Sequence, residues 1–82
     1  MLMAKRSSLV LLARLDAALC SRGGLVRRAF AVENEVSLRT VQRLMDAARD
    51  RFGCDLEFDG RAWRHADLSR AIFTEATRAR AL

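Results

Sequence analysis

Glu35-Val36-Ser37-Leu38-Arg39-Thr40-Val41-Gln42-Arg43-Leu44-Met45 reads as a tight turn, a capped start and a helix with one apolar and one basic face. Leu38, Val41, Met45 and Ala48 recur at the three-and-four spacing of a buried helix face. Ser37 stands just before them, where its hydroxyl can accept from the free amides of the first turn. At about 100° per residue, Arg39 and Arg43 fall on the opposite side, one turn apart, with Thr40 flanking them and Gln42 to the side. The pattern predicts a helix over 38–50 that presents arginines to solvent. Such a helix suits a DNA major groove, where Arg binds a guanine edge bidentately and a short hydroxyl contacts base or phosphate.

Upstream, residues 8–21 read as a first helix. Ser7 or Ser8 can cap it, and Leu9, Leu12, Leu15 and Leu19 form its stripe, with Asp16 on the wet side. Gly23-Gly24 ends it, because glycine takes the left-handed conformation that follows a helix. Leu25, Val26, Ala29 and Phe30 predict a short second helix over 25–33. Asn34-Glu35-Val36 is then the turn, with Asn34 tolerant of positive φ.

Downstream of Phe52-Gly53 the period changes to alternation. Leu56-Glu57-Phe58 and Ala62-Trp63-Arg64 flank Asp59-Gly60, a strong two-residue hairpin signal. That loop pairs Leu56 with Trp63 and Phe58 with Arg61, and puts Leu56, Phe58 and Trp63 on the core-facing side. The hairpin, 55–65, is the wing. A last helix is expected over 67–82, with Asp67 as cap and Leu68, Ile72, Ala79 and Leu82 on one weakly apolar face that Phe73 widens. The expected fold is mainly α with a small β-hairpin: a winged helix-turn-helix (core 8–65) plus a C-terminal helix.

The 82 residues suffice for one domain and no second core. Half are apolar, enough for a core and too many for a disordered chain. The net charge is +5, and Lys5 is the sole lysine among 15 basic residues. A basic, arginine-rich surface points to a polyanionic partner, and the planar guanidinium fork suits nucleic acid. Arg14 and Asp16 interrupt the apolar stretch after Lys5-Arg6, so no secretory leader is expected, and no run is long enough to span a membrane. A cytoplasmic protein of a bacterium or bacterial mobile element is expected. Cys20 and Cys54 belong to no CxxC pattern, and His65 is the single histidine, so the reading is two reduced thiols with no metal and no cofactor. No nucleophile elbow, phosphate-cradling glycine loop or paired catalytic carboxylates occur, so no enzymatic activity is expected.

Ser37-Leu38-Arg39-Thr40-Val41-Gln42-Arg43, followed by Phe52-Gly53-Cys54-Asp55-Leu56-Glu57-Phe58-Asp59-Gly60-Arg61-Ala62-Trp63, resembles the N-terminal winged-helix domain of bacterial WYL-domain transcriptional regulators. The resemblance covers residues 9–65. It implies a DNA-binding regulator, usually dimeric, with the third helix in the groove. Two departures stand out. Leu44 occupies a position that is usually acidic in that family, and the ligand-sensing domain does not follow. A short form of this kind would need another dimerisation surface, for which residues 67–82 are the candidate.

The expected function is therefore sequence-specific binding of double-stranded DNA by a homodimeric transcriptional regulator, a repressor being the favoured form. Arg39, Thr40, Gln42 and Arg43 are the candidate base or phosphate contacts, and Ser37 serves as cap and phosphate contact. Arg27 and Arg28, opening the second helix, and Arg61 and Arg64, in the wing, are candidate backbone clamps. Asp46 is expected to orient Arg43 from the same face. Trp63 reads as core rather than as a stacking platform, and His65 as a structural or solvated ring without a companion. The rival reading is a protein–protein interaction module that docks on a larger complex through Leu68, Ile72, Phe73 and Leu82.

Overall fold

The computed structural model describes residues 7–81. Its elements run α1 (Ser8–Cys20), α2 (Arg27–Asn34), α3 (Leu38–Phe52), β1 (Leu56–Phe58), β2 (Trp63–His65), one 3-10 turn (Leu68–Arg70) and α4 (Glu75–Ala81). The architecture is the expected one, a winged helix-turn-helix with an antiparallel hairpin and a C-terminal helix. Among the described residues no helix is long and apolar enough to cross a membrane.

Ser7 starts α1, its side chain accepting from the Val10 amide at 3.1 Å. The buried face of α1 is Leu11, Ala13, Leu15, Asp16 and Leu19. It is rotated from the expected stripe: Leu9 stays 54% exposed, whereas Asp16, placed by the sequence pattern on the wet side, has no exposure at all. α1 ends one residue early because Ser21 intervenes, its hydroxyl donating to Ala18 O and accepting from the Gly24 amide. Gly24 then takes φ +71, and a Cβ built there would lie 2.8 Å from Trp63 O. That close approach lets Leu25 form a two-way backbone bridge with Trp63, at 2.7 and 2.8 Å. Leu25 thus leaves the predicted second helix and joins the hairpin's outer edge, and α2 begins at Arg27.

The turn between α2 and α3 also departs from expectation in one residue. Asn34 stays helical and buried, donating to Phe30 O at 3.0 Å and accepting from Arg14 Nη1 at 3.0 Å. Its side chain is committed, so the left-handed step falls on Glu35 at φ 55. Ser37 caps α3 as predicted, accepting from the Thr40 amide at 3.0 Å. Val41, Met45 and Ala48 are fully buried, while Leu38, at the mouth of the helix, is 43% exposed. They pack with Leu15, Leu19, Leu25, Phe30, Ala31 and Cys54 into one core. Gly53, in the left-handed conformation, closes α3 after Phe52.

The hairpin register differs from the two-residue turn. Leu56 faces His65 and Phe58 faces Trp63, leaving a four-residue loop, 59–62. Asp59 dictates this: its Oδ1 accepts from the amides of Arg61 and Ala62 at 2.9 and 2.8 Å, and its own amide donates to Ala62 O. Only Gly60 takes positive φ, where the two-residue form requires it at both positions. A slip of two residues preserves the faces, so Leu56, Phe58 and Trp63 still share a side. Phe58, however, is 52% exposed, its ring 5.1 Å from that of Trp63.

The predicted continuous last helix is broken. Asp67 does cap, but it caps the single 3-10 turn, accepting from the Ser69 amide. The chain then runs irregularly to Thr74, whose hydroxyl accepts from the Thr77 amide and starts α4. The break has a definite cause. The amides of Ile72 and Phe73 donate to the two carboxylate oxygens of Asp16, at 3.0 and 3.1 Å, and a helix running through them would have used those donors itself. Asp16 also accepts from His65 Nε2 at 2.6 Å and from Arg78 Nε at 3.0 Å. His65 therefore has the companion that the sequence did not reveal. Its other nitrogen, Nδ1, is buried without a partner among the described residues.

Burial pushes the Asp16 carboxyl up, but the Ile72 amide, His65, the Phe73 amide and Arg78 together outweigh it and hold it below the ordinary value. A carboxyl lowered on folding contributes stability that is fully present above its unfolded pKa of about 3.9 and lost as pH falls through the lowered value. Urea melts of Asp16→Ala are expected to show a loss of about 3–5 kcal/mol at neutral pH, because three donors and a guanidinium lose their buried acceptor. The midpoint of the parent should fall as the pH is taken below about 4, and Asp16→Asn should flatten that part of the profile. Gly24→Ala is expected to cost more than about 1 kcal/mol in the same assay, through both its φ and its contact with the β2 backbone.

Candidate nucleic-acid interface

The outer face of α3 carries the arginines that the sequence singles out. Arg39 and Arg43 are exposed, and neither has a hydrogen-bond or ion-pair partner among the described residues. Their spacing puts them on one arc, with Asp50 between them and Asp46 beside Arg39. Asp46 does not orient Arg43. Its Oδ1 accepts from Gln42 Nε2 at 3.0 Å and from Arg49 Nη1 at 3.3 Å, because those side chains flank it along the helix on the side facing α2 and the wing. Arg43 is left free, and the charge of Asp46 is matched by Arg49.

Gln42 is correspondingly tied down. Arg27 Nη1, from the start of α2, donates to Gln42 Oε1 at 2.8 Å. A polar chain thus runs Arg27–Gln42–Asp46–Arg49 across the two helices. It ends at the wing, where the Arg49 guanidinium carbon lies 5.2 Å from the Trp63 ring centre. Arg49 is a residue that the sequence reading missed. Its signals were the three-residue spacing from Asp46 and the seven-residue spacing from Gln42.

Ser37 and Thr40 form a local unit at the head of α3. Besides capping, the Ser37 hydroxyl donates to Thr40 Oγ1 at 3.1 Å. Both side chains lie at the end of α3 nearest the turn, Ser37 exposed and Thr40 half-buried.

A shallow groove separates the start of α2 from the wing, lined by Val26, Arg27, Arg28, Phe58, Arg61 and Trp63. The structure therefore gathers Arg27, Arg28 and Arg61, distant in sequence, around one depression with an aromatic wall. Trp63 is half-buried, between the core and this groove, and its Nε1 is buried without a partner among the described residues.

Arg64 does not belong to that set. Its Nε and Nη2 donate to Asp59 Oδ2 at 3.3 and 3.1 Å, and its Nη1 donates to the backbone oxygens of Ser21 and Arg22. It clasps the wing to the α1–α2 loop. Asp59 is exposed, yet the amides of Ala62 and Arg61, and then Arg64, hold its carboxyl at about 2. Those donors occupy its oxygens, so the acidic group at the wing tip is turned inward and Arg61 stands clear.

The C-terminal candidates scatter. Leu68 is 64% exposed, Phe73 is half-buried and Ile72 packs against the core. Leu82 lies outside the described residues. Comparison of the chain with protein-family models, curated proteins and solved structures finds no match.

The wing clasp gives a prediction of its own. Because the Asp59 carboxyl is lowered on folding, the clasp is complete above about pH 4 and dissolves as pH falls toward about 2. Hydrogen exchange of the Arg61 and Ala62 amides should be slow in the parent at pH 5 and much faster in Asp59→Ala. The α3 amides are expected to be unchanged.

Proposed function

We propose that the protein binds double-stranded DNA through α3 and acts as a small transcriptional regulator. The reading rests on one observation above the rest: Arg39 and Arg43 face solvent without partners among the described residues, on the outer side of the second helix of a helix-turn-helix. A buried core would not select for two unpaired guanidinium groups one turn apart, whereas a groove rich in acceptors uses them. The resemblance of residues 9–65 to the winged-helix domain of WYL-domain regulators points the same way.

In this reading α3 lies in the major groove. Arg39 and Arg43 reach base edges, and the Ser37 and Thr40 hydroxyls, near the head of the helix, face the adjoining phosphates. Arg28 and Arg61 hold the backbone on the side of α2 and the wing, while Arg27 is spent on Gln42. Gln42 and Arg49 set the position of α3 against those clamps rather than reading bases, since both are already engaged. Two copies would bind two half-sites about one helical turn apart. The rival docking surface is weakened by the inward turn of Ile72, which spends its apolar side on the chain's own core.

Selection of bound duplexes from a random library, followed by anisotropy titration on the recovered site, tests the proposal. Arg43→Ala should cost about 1–3 kcal/mol and relax preference at one position. Arg28→Ala should weaken binding to all sequences and reduce the salt slope by about one unit. A library that yields no motif, or an Arg39→Ala/Arg43→Ala double variant that binds as tightly as the parent, would remove α3 from the groove.

A further inference from the structure

Asp16 and Cys20 stand four residues apart on α1, hence on one face of the helix, and His65 meets them from β2. One carboxylate oxygen, the thiol sulfur and one imidazole nitrogen lie within 4.8 Å of one another. Asp16 and the His65 side chain are completely buried, and Cys20 is half-buried. Three donors of different kinds, drawn from two elements, converge on one small volume.

A cation already serves that volume. Arg78 reaches in from α4, donating to Asp16 Oδ2 at 3.0 Å and to Cys20 Sγ at 3.4 Å, and so touches two of the three donors. Its remaining bond, to Phe73 O at 3.1 Å, ties it to the chain just before its own helix. The positive charge is thus delivered by the last helix, Glu75–Ala81. Charge balance around Asp16 demands a cation there, but nothing in the donor set demands that it be a guanidinium.

We propose that Asp16, Cys20 and His65 form a site for a zinc-class divalent cation, for which the Arg78 guanidinium is the resident substitute. Carboxylate, thiolate and imidazole together suit a borderline-soft ion with tetrahedral preference, such as Zn²⁺ or its spectroscopic stand-in Co²⁺. On binding, the Cys20 S–H bond breaks and the sulfur–metal bond forms, the proton leaving to solvent. The Nε2–H bond of His65 breaks as the nitrogen–metal bond forms, and the ring takes a proton back on Nδ1 through solvent, so that only the thiol proton is lost overall; water takes the fourth position. Burial and the nearby Asp16 push the Cys20 thiol up, so a bound metal must supply the drive for deprotonation. The guanidinium already sits on the Asp16 carboxylate and the Cys20 sulfur, two of the three groups that the metal would need. Binding therefore displaces Arg78 and loosens α4 from α1.

The test is titration of the purified full chain with Co²⁺ under anaerobic, reducing conditions, followed by absorption spectroscopy. The expected result is a thiolate-to-cobalt charge-transfer band with tetrahedral d–d bands, release of about one proton per metal, and bleaching by Zn²⁺. Arg78→Ala should tighten binding roughly tenfold, since the competitor is gone. If that variant does not fold, Arg78→Gln gives the same comparison with a neutral donor in place. Cys20→Ser should abolish the charge-transfer band while the melting profile is kept. Failure of both the parent and the Arg78 variants to develop the bands would overturn the proposal. So would a band that survives Cys20→Ser, or one that is lost in Cys54→Ser.

Discussion

A carboxylate sealed from water has to obtain all of its hydrogen bonds from protein, and Asp16 obtains them from three separate parts of the chain. That demand turns α1 on its axis, so that Leu11, Leu15 and Leu19 face inward with Asp16 while Leu9 is left outside. It draws His65 inward at the end of β2 and so fixes which way the second strand of the wing leaves the core. It also takes the Ile72 and Phe73 amides away from helix formation and brings Arg78 back across α1. Removing the carboxylate would leave residues 68–81 with little reason to follow their observed path.

A second, more exposed network sets the surface. Arg27, Gln42, Asp46 and Arg49 link α2 to α3 and carry the link to Trp63 of the wing. Each contact is exposed and worth little alone. Together they hold three elements in a fixed relation, and the side chains that take part are withdrawn from external partners. Which side chains stay unengaged among the described residues is informative for that reason: Arg39 and Arg43 on α3, with Arg28 and Arg61 across the groove. A basic protein has many arginines, and this one assigns Arg14, Arg49, Arg64 and Arg78 to internal duties.

Much of the fold was legible because its signals are local. Ser37 before an apolar repeat and alternation around Asp59-Gly60 each act within a few residues, and the structure contains the corresponding cap and hairpin, although α3 runs two residues past its expected end at 50, to the glycine that stops it. The errors also have local origins. Asp59-Gly60 suggested a two-residue loop, but the Asp59 carboxylate captures two amides and widens it. Asn34 is the better residue for positive φ, yet Arg14, twenty positions away, holds its side chain and passes the strain to Glu35. At the candidate interface, the solvent face of α3 could be read from periodicity. The division of the arginines into engaged and free could not, because it depends on which carboxylates and carbonyls the fold brings near them.

By itself the sequence determined the order of elements, the cap and apolar face of α3, the wing and the exposure of Arg39 and Arg43. All of these follow from propensity and periodicity, which act over one or two helical turns. Only the tertiary structure decided the burial of Asp16, its union with His65 and Arg78, the break before α4, the bridge from Leu25 to Trp63 and the gathering of Arg27, Arg28 and Arg61 around one groove. The reason is physical: a buried charge or an open backbone amide takes whichever partner the packed chain brings within about 3 Å, and separation along the sequence says nothing about which that will be.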